Sequence, residues 1–346
     1  MDPHLKDPLI SVIMPVFNAG LYLRTAIESI LNQTFSDFEF FIIDDASTDN
    51  SVEIIQSFSD KRIKLIVKPV NSGYTKSLNH VLQLTKGKYI ARMDADDISY
   101  PQRFERQILF LENNPNIIVC GTWIKLIPAN EVIKHPQDND GIKLLMLDQN
   151  PVAHPSVMLR REFLVENQLQ YDSLMEPAED YDLWVKIISI GEIANVPEVL
   201  VDYRIHSSQI SSIQSDKQKK RAATIQTKLL QNLIPDLTPE ANLFNDITVF
   251  ESETDHFQTT TLKISFYTRL LNENSRIGYF SKAAFTDKIL QKKKLLLLEY
   301  LTNPSSCSSR RFLFNLSNAK LIADVCGKRI VLKHFARCLL PTLSKS

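Results

Sequence analysis

Two hydrophobic periods alternate along the first hundred positions. LISVIMPVF (9–17), FEFFIIDD (38–45), RIKLIVK (62–68) and KYIARMD (88–94) are short apolar runs of strand length. Between them lie helical patterns. LYLRTAIESILNQ (21–33) carries Leu23, Ile27, Ile30 and Leu31 on one face, and SVEIIQSF (51–58) and TKSLNHVLQLTK (75–86) follow the next two strands. Ser47, Thr48 or Asp49 can cap the second of these helices. Such alternation predicts right-handed crossovers and a Rossmann-like α/β fold, with a parallel sheet covered on both faces. Ligands of open α/β sheets sit beyond the carboxyl ends of the strands. FNAG (17–20), DDAS (44–47) and DADD (94–97) fall at three such ends.

After Pro101 the pattern loosens. QRFERQILFLENNP (102–115) predicts an amphipathic helix and IIVCGTWIKLI (117–127) a strand, while 128–153 reads as loop. HPSVMLRREFLVEN (154–167) is a strand or turn leading into a helix. AEDYDLWVKIIS (178–189) opens a helix with acids in its first turn, where the helix dipole favours them. The polar run IHSSQISSIQSDKQKK (205–220) reads as a linker, and 222–300 is mostly helical in pattern. Near the end, Arg329, Lys333 and Arg337 share one helical face, while Leu321, Val325, Leu332, Phe335 and Leu339 share another. A basic amphipathic helix of this kind either lies on an anionic membrane surface or packs on its own domain with a solvated basic face.

Composition narrows the classes. The 346 residues carry no net formal charge, with 44% hydrophobic and 23% charged positions, which describes a globular protein and excludes a globally basic nucleic-acid binder. Cys120, Cys307, Cys326 and Cys338 form no CxxC, which argues against a zinc site or a disulfide framework and for a reducing compartment. Pro15 interrupts the first apolar run, Asp2 and Asp7 precede it and no small-residue cleavage site comes after it, so it reads as a strand and not a signal peptide. No run reaches the roughly 18 apolar residues of a membrane span. The expectation is a soluble cytoplasmic protein.

Three carboxylates in four positions, Asp94, Asp96 and Asp97, are the most informative chemistry. Unit charges about 4 Å apart repel by about 1 kcal/mol even in bulk water, and a divalent cation removes that penalty. In an extended segment Asp94 and Asp96 face one side, where both can hold an ion, and Asp97 faces away to cap the next segment. Oxygen ligands favour Mg²⁺ or Mn²⁺, and magnesium borrows part of its shell from phosphate oxygens, so the pair points to a phosphate-bearing substrate. Other phosphate signatures are missing: no GxGxxG, no GxxxxGK[ST], and DASTDNS lacks the Gly and Glu of a calcium loop.

The ordered set SVIMPVFN (11–18), SILNQTFSDFEFFIIDDASTDNS (29–51), NSG (71–73) with LN (78–79), KGKYIARMDADDISYPQRFERQ (86–107), HPSVMLRR (154–161), AEDYDLWVKI (178–187) and YRIHSSQIS (203–211) resembles the family 2 glycosyltransferases of GT-A fold. The resemblance runs from about Ile10 to Ser212. It implies a GT-A domain over 8–212, a mostly parallel sheet with flanking helices, with a nucleotide-sugar donor half (8–100) and an acceptor half (101–212), followed by a helical C-terminal extension (213–346). It further implies an inverting, metal-dependent transfer of a sugar from a nucleotide diphosphate to a hydroxyl. Pro15, Phe17 and Asp45 match nucleobase-pocket positions, with Asp45 accepting from a base N–H. Asp94 matches a residue near the ribose and metal, and Asp96 the metal ligand. Asp180 of the ED pair matches the general base that takes the acceptor proton, although helix capping alone also accounts for Glu179 and Asp180. His206 matches a metal- or diphosphate-proximal His, or is a loop residue; His154 matches an acceptor-side position, or makes a structural hydrogen bond. Lys76 either reaches the diphosphate or is solvated. The processive members' QxxRW is absent, which favours single-sugar transfer to a glycan or lipid-linked acceptor in cell-surface polysaccharide synthesis. The resemblance slightly favours a uridine donor. Residues 305–346 are the candidate peripheral membrane contact.

Three rivals stand beside this reading. A nucleotidyltransferase needs a Gly-rich loop with Arg after the first strand, and PVFNAG supplies none. A phosphatase of the DxDx[TV] type needs Thr or Val where Ile98 stands. A non-catalytic nucleotide-sugar binder has no use for a base such as Asp180.

Overall fold

β1 (Ile10–Val16) is buried along its whole length, because it has a parallel neighbour on each side: β2 (Phe38–Asp44) and β4 (Tyr89–Arg92). A strand covered on both faces and both edges reads as a continuous apolar run, which is what LISVIMPVF is. Pro15 lies opposite Ile43 of β2, past the last β1–β4 residue pair (Ile13 with Arg92), where its missing N–H interrupts no ladder on that side. β3 (Ile63–Val67) extends the parallel set beyond β2. The structure, a computed structural model, describes residues 7–206, 209, 213–237, 256–302 and 323.

The crossovers are helices α1 (Leu23–Leu31), α2 (Ser51–Gln56) and α3 (Tyr74–Leu82). α1 buries Leu23, Ala26, Ile27 and Ile30, the i, i+3, i+4, i+7 stripe of a helix laid on a sheet. None of the capping candidates before α2 sits at its N-cap, which is Asn50 and makes no side-chain capping bond; Asp49 Oδ1 accepts from Ser51 N at 3.0 Å one position earlier.

The second half adds the antiparallel strands of the mostly parallel sheet expected from the resemblance. β8 (Met158–Arg160) runs antiparallel between β4 and β6 (Ile117–Ile127), β9 (Glu192–Arg204) runs parallel to β6, and β5 (Ile98–Ser99) and β7 (Glu131–Ile133) pair antiparallel to β9 and β6. The strand path is β3-β2-β1-β4-β8-β6-β9-β5, with β7 on β6. The stretch 128–153 is more ordered than its sequence suggests. It holds β7 and helix α5 (Asn139–Leu145), which Asp138 caps through Gly141 N at 2.8 Å. β9 has no clean period because Pro197 and Glu198 bulge out between the pairs Thr122–Val196 and Trp123–Val199.

Helix α4 (Arg103–Asn113) anchors the sheet's centre. Arg103 is completely buried; its Nη2 donates to Arg92 O at 2.7 Å and Val157 O at 3.2 Å. Gln107 Nε2 donates to Ser156 O at 2.8 Å and Cys120 O at 3.0 Å. Burial pushes the Arg103 guanidinium down to about 9. Two polar side chains on one helix face thus tie the end of β4 to the segment before β8. Helices α6 (Arg161–Glu166) and α7 (Glu179–Ile188) complete this half.

The chain forms two compact units, Met1–Gln226 and Thr227–Ser346. The division falls within helix α8 (Ser215–Gln231), so the polar run expected as a linker is helical from Ser215 onward. The second unit contains α9 (His256–Ile277) and α10 (Lys282–Thr302). Asn274 closes the turn between them by bonding both Phe280 O and Phe280 N, at 3.1 and 2.9 Å. The basic segment 305–346 lies outside the described residues except for position 323. No helix among the described residues is long and apolar enough to cross a membrane.

Gly87 sets how closely the start of β4 approaches β1. A Cβ there would lie 2.5 Å from Ser11 N and 2.7 Å from Ile10 C, both backbone atoms that cannot swing aside. Gly87→Ala therefore costs about 1–3 kcal/mol, measured as a lowered urea midpoint. An unchanged midpoint would show that the turn can retreat from β1.

Candidate active site

The loops leaving β1 and β2 are laced together. Asn18 N donates to Ser47 Oγ at 2.9 Å, Thr48 N to Asn18 Oδ1 at 2.8 Å, and Gly20 N to Asp49 Oδ2 at 2.9 Å. Asn18 and Ala46 both adopt left-handed backbone, at φ 49° and 63°, a conformation costing an Ala about 1–2 kcal/mol. Phe17 is left half exposed (50%) above the buried Pro15.

Asp45 lies beneath this rim, buried, and collects donors from the loop after β3. Lys68 Nζ stands 2.6 Å from its Oδ1, Ser72 N donates to that oxygen at 3.1 Å, and Gly73 N donates to Oδ2 at 2.8 Å. Gly73 takes φ +91°, which a side chain would disfavour, to turn that N–H inward. Burial alone would raise the Asp45 carboxyl; Lys68 and the two amides more than offset it and hold it below the usual range.

Beyond β4 the acids converge. Asp94, Asp96 and Asp97 each offer an oxygen, and these oxygens lie within 4.8 Å of one another. Asp97 does not face away, as an extended segment would require: residues 95 and 96 form a turn that brings its carboxyl inward. Arg204 N donates to Asp97 Oδ1 at 2.7 Å, while the buried Oδ2 has no hydrogen-bond partner. Asp94 pairs with Arg92, a buried guanidinium two residues earlier on the strand. Asp96 Oδ2 meets His206 Nε2 at 2.8 Å, and Arg204 Nε donates to Asp96 O at 2.8 Å. Tyr22 completes this wall, with Arg204 4.3 Å above its ring and the His206 ring 5.3 Å away. Burial, followed by the neighbouring acids, pushes Asp97 well up; burial and Asp96 also raise Asp94, against the pull of Arg92.

The ED pair opens α7. Asp180 Oδ2 accepts from Asn150 Nδ2 at 2.7 Å and its Oδ1 from Tyr181 N at 2.7 Å. Glu179 is buried, with the Tyr74 phenol close enough to favour its charged form and His154 Nδ1 3.9 Å from its Oε1. Burial raises both carboxyls, Asp180 to about 6 and Glu179, with Asp180's charge added, to about 8. His154 is itself buried; its Nε2 shares a hydrogen bond with Tyr171 OH at 2.9 Å, and burial and Arg92 hold the imidazole well below its ordinary value. Asn79 of α3 bonds the Tyr171 backbone twice, at 2.8 and 3.0 Å.

The structure therefore brings His206 to the acid cluster and His154 to Glu179, and leaves Lys76 exposed on the first turn of α3, where Tyr74 and Thr75 make the inward contacts. Arg92, Arg204, Tyr74 and Asn150 went unassigned in the sequence. Only Arg92 left a local sign there, as a cation inside an apolar strand. Two clefts lie at the opposite, starting ends of the strands. One, of 180 Å³, is lined by Lys88, Arg160 and Phe163, and the other, of 490 Å³, by Ile117, Asp138 and Glu192. Neither includes the acids.

Residues 11–168 match the model of glycosyl transferase family 2. An uncharacterized glycosyltransferase of Haemophilus influenzae is 33% identical over 258 residues, covering 70% of this chain and 80% of that protein. The O-antigen biosynthesis glycosyltransferase WbnJ of Escherichia coli is 34% identical over 213 residues, covering 58% of this chain and 80% of WbnJ. In fold, the chain is similar to S. aureus TarS (residues 1–349) crystallised with UDP-GlcNAc: TM-score 0.54 at 17% identity, covering 82% of this chain and 92% of that one.

Proposed function

The chain belongs to glycosyl transferase family 2, and we propose that it transfers one sugar, with inversion, from a uridine-diphosphate sugar to a hydroxyl of a glycan or lipid-linked acceptor. The observation that carries this reading is the convergence of Asp94, Asp96 and Asp97 at the carboxyl end of β4 with one buried carboxylate oxygen unpartnered. An all-oxygen set that close, with an imidazole alongside, fits a divalent cation. Asp94, Asp96 and Asp97, with His206 beside Asp96, would hold Mn²⁺ or Mg²⁺. When bound, the ion supplies Lewis-acid neutralisation of the charge that develops on the departing diphosphate.

The chain's own residues do the rest. Pro15 and Phe17 flank the base, and a base N–H joins the donors already gathered on Asp45. Asp180 takes the acceptor's proton: the hydroxyl oxygen bonds to the anomeric carbon, the bond from that carbon to the diphosphate oxygen breaks, and the proton ends on Asp180. A base must be ionised to do this, and Asn150 Nδ2 and the Tyr181 N–H favour the charged form. The name of WbnJ supports a polysaccharide setting, and the UDP-GlcNAc bound to TarS supports a uridine donor. We place the enzyme in the cytoplasm, with residues 305–346 as its contact to an anionic membrane.

Three outcomes are expected. In calorimetric titrations UDP binds more tightly with Mn²⁺ than without it, and Asp96→Ala removes that gain; binding indifferent to Mn²⁺ would refute the site. With UDP-sugar donors, turnover falls as pH drops below about 6 because Asp180 becomes protonated, and Asp180→Asn lowers kcat by about 10²–10⁴ while UDP binding persists. A variant as active as the parent would remove the base and favour another residue. Deleting residues 305–346 abolishes co-sedimentation with anionic vesicles; unchanged co-sedimentation would dismiss the membrane role.

A further inference from the structure

We propose that Glu179 stands in the folded protein as a neutral carboxylic acid, so that the Glu179–Asp180 pair carries a single negative charge, lodged on Asp180. Its use in catalysis rests on Asp180 being the base; the protonation itself does not.

The two side chains are adjacent in sequence but meet opposite surroundings. Asp180 receives two N–H donors, from Asn150 and Tyr181, which suit an anion. Glu179 is 2% exposed, and no Lys or Arg lies within ion-pair distance of it among the described residues. From α3 it meets the Tyr74 phenol, which favours the charged form but is outweighed by burial and by the charge of Asp180. From the 154–156 turn it meets His154, 3.9 Å away, whose burial and shared bond with Tyr171 leave it uncharged. From β4 the Arg92 guanidinium acts at longer range and is already paired with Asp94. From α7 itself come Asp180, which repels a second charge, and Glu179's own N–H; Glu176, in the loop before α7, adds negative charge near Tyr74. The buried Glu179 Oε2 has no partner. A charge in that position would be desolvated, unpaired and beside another anion. Burial, then the charge of Asp180, push Glu179 up to about 8 while Asp180 lies near 6, two values that belong to the pair. Environments that separate two neighbouring carboxyls in this way assign them different roles. Glu179 is the positioning residue: neutral, it leaves Asp180 as the one charge of the pair.

The state of Glu179 is read directly by infrared difference spectroscopy, wild type minus Glu179→Gln, in the full chain. The expected result at pH 7 is a protonated-carboxyl C=O band that fades as pH passes about 8. An ionised-carboxylate signal at pH 6–7 would overturn the inference. Thermal unfolding gives a second readout. The folded-state value lies above the ordinary 4.5 of a glutamate, so the proton's contribution to stability is complete below about 4.5 and is lost as pH rises through about 8. Glu179→Gln keeps the neutral shape, so its Tm gains on wild type across that window. A difference flat with pH would contradict the proposal. If Glu179→Gln does not fold, Tyr74→Phe serves: losing the phenol that favours the charge moves the wild-type band's midpoint upward, and a downward shift counts against it. A neutral Glu179 with an active Asp180→Asn would spare this inference and remove the base; an ionised Glu179 with an inactive Asp180→Asn would do the reverse.

Discussion

Everything at this site stems from crowding three carboxylates at the end of one strand. At an effective dielectric near 20, two unit charges about 4 Å apart repel by about 4 kcal/mol, and here three carboxylate oxygens lie within 4.8 Å. The chain answers with Arg92 against Asp94, His206 against Asp96 and the Arg204 N–H against Asp97. Two of these three partners come from the end of β9 and the loop after it, distant in sequence. The long strand β9, with its Pro197 bulge, is thus the element that closes the site: it runs in the same sense as β4 and β6, which brings its carboxyl end to the same edge.

The same logic links the two halves of the first unit. α3 reaches both ways: the turn at its start supplies Ser72 N and Gly73 N to Asp45, while Thr75 bonds Glu176 and Tyr74 stands beside Glu179. Arg103 and Gln107 fix the backbone under Arg92 and under the segment bearing His154. On the proposed reading, a substrate held at Asp45 and the acid cluster would meet Glu179 and Asp180, whose position is set by the same helices. Rigid elements carry the side chains, and the loops supply only the rim.

How much of this was legible depended on whether the determining contacts were local. The strand exits FNAG, DDAS and DADD could be read because an apolar run that stops at an acid marks a strand end whatever it packs against. The inward turn of Asp97 could not, since it depends on Arg204 far along the chain. β9 was hidden because Pro197 and Glu198 break its period, and α5 because it is short and lies among turn residues. The resemblance to family 2 pointed to His206 and Asp180 as residues to watch, but the protonation contrast within the ED pair arises from burial that only the fold reveals.

On the proposed reading, the carboxylates at the end of β4 and a nucleotide diphosphate would share one cation. Crystals soaked with Mn²⁺ and UDP, measured for anomalous scattering at the manganese edge, test it most directly. A single strong peak next to Asp96 and the diphosphate oxygens is expected, with the uracil toward Asp45. A peak elsewhere, or UDP bound with no peak at Asp94 and Asp96, would contradict it.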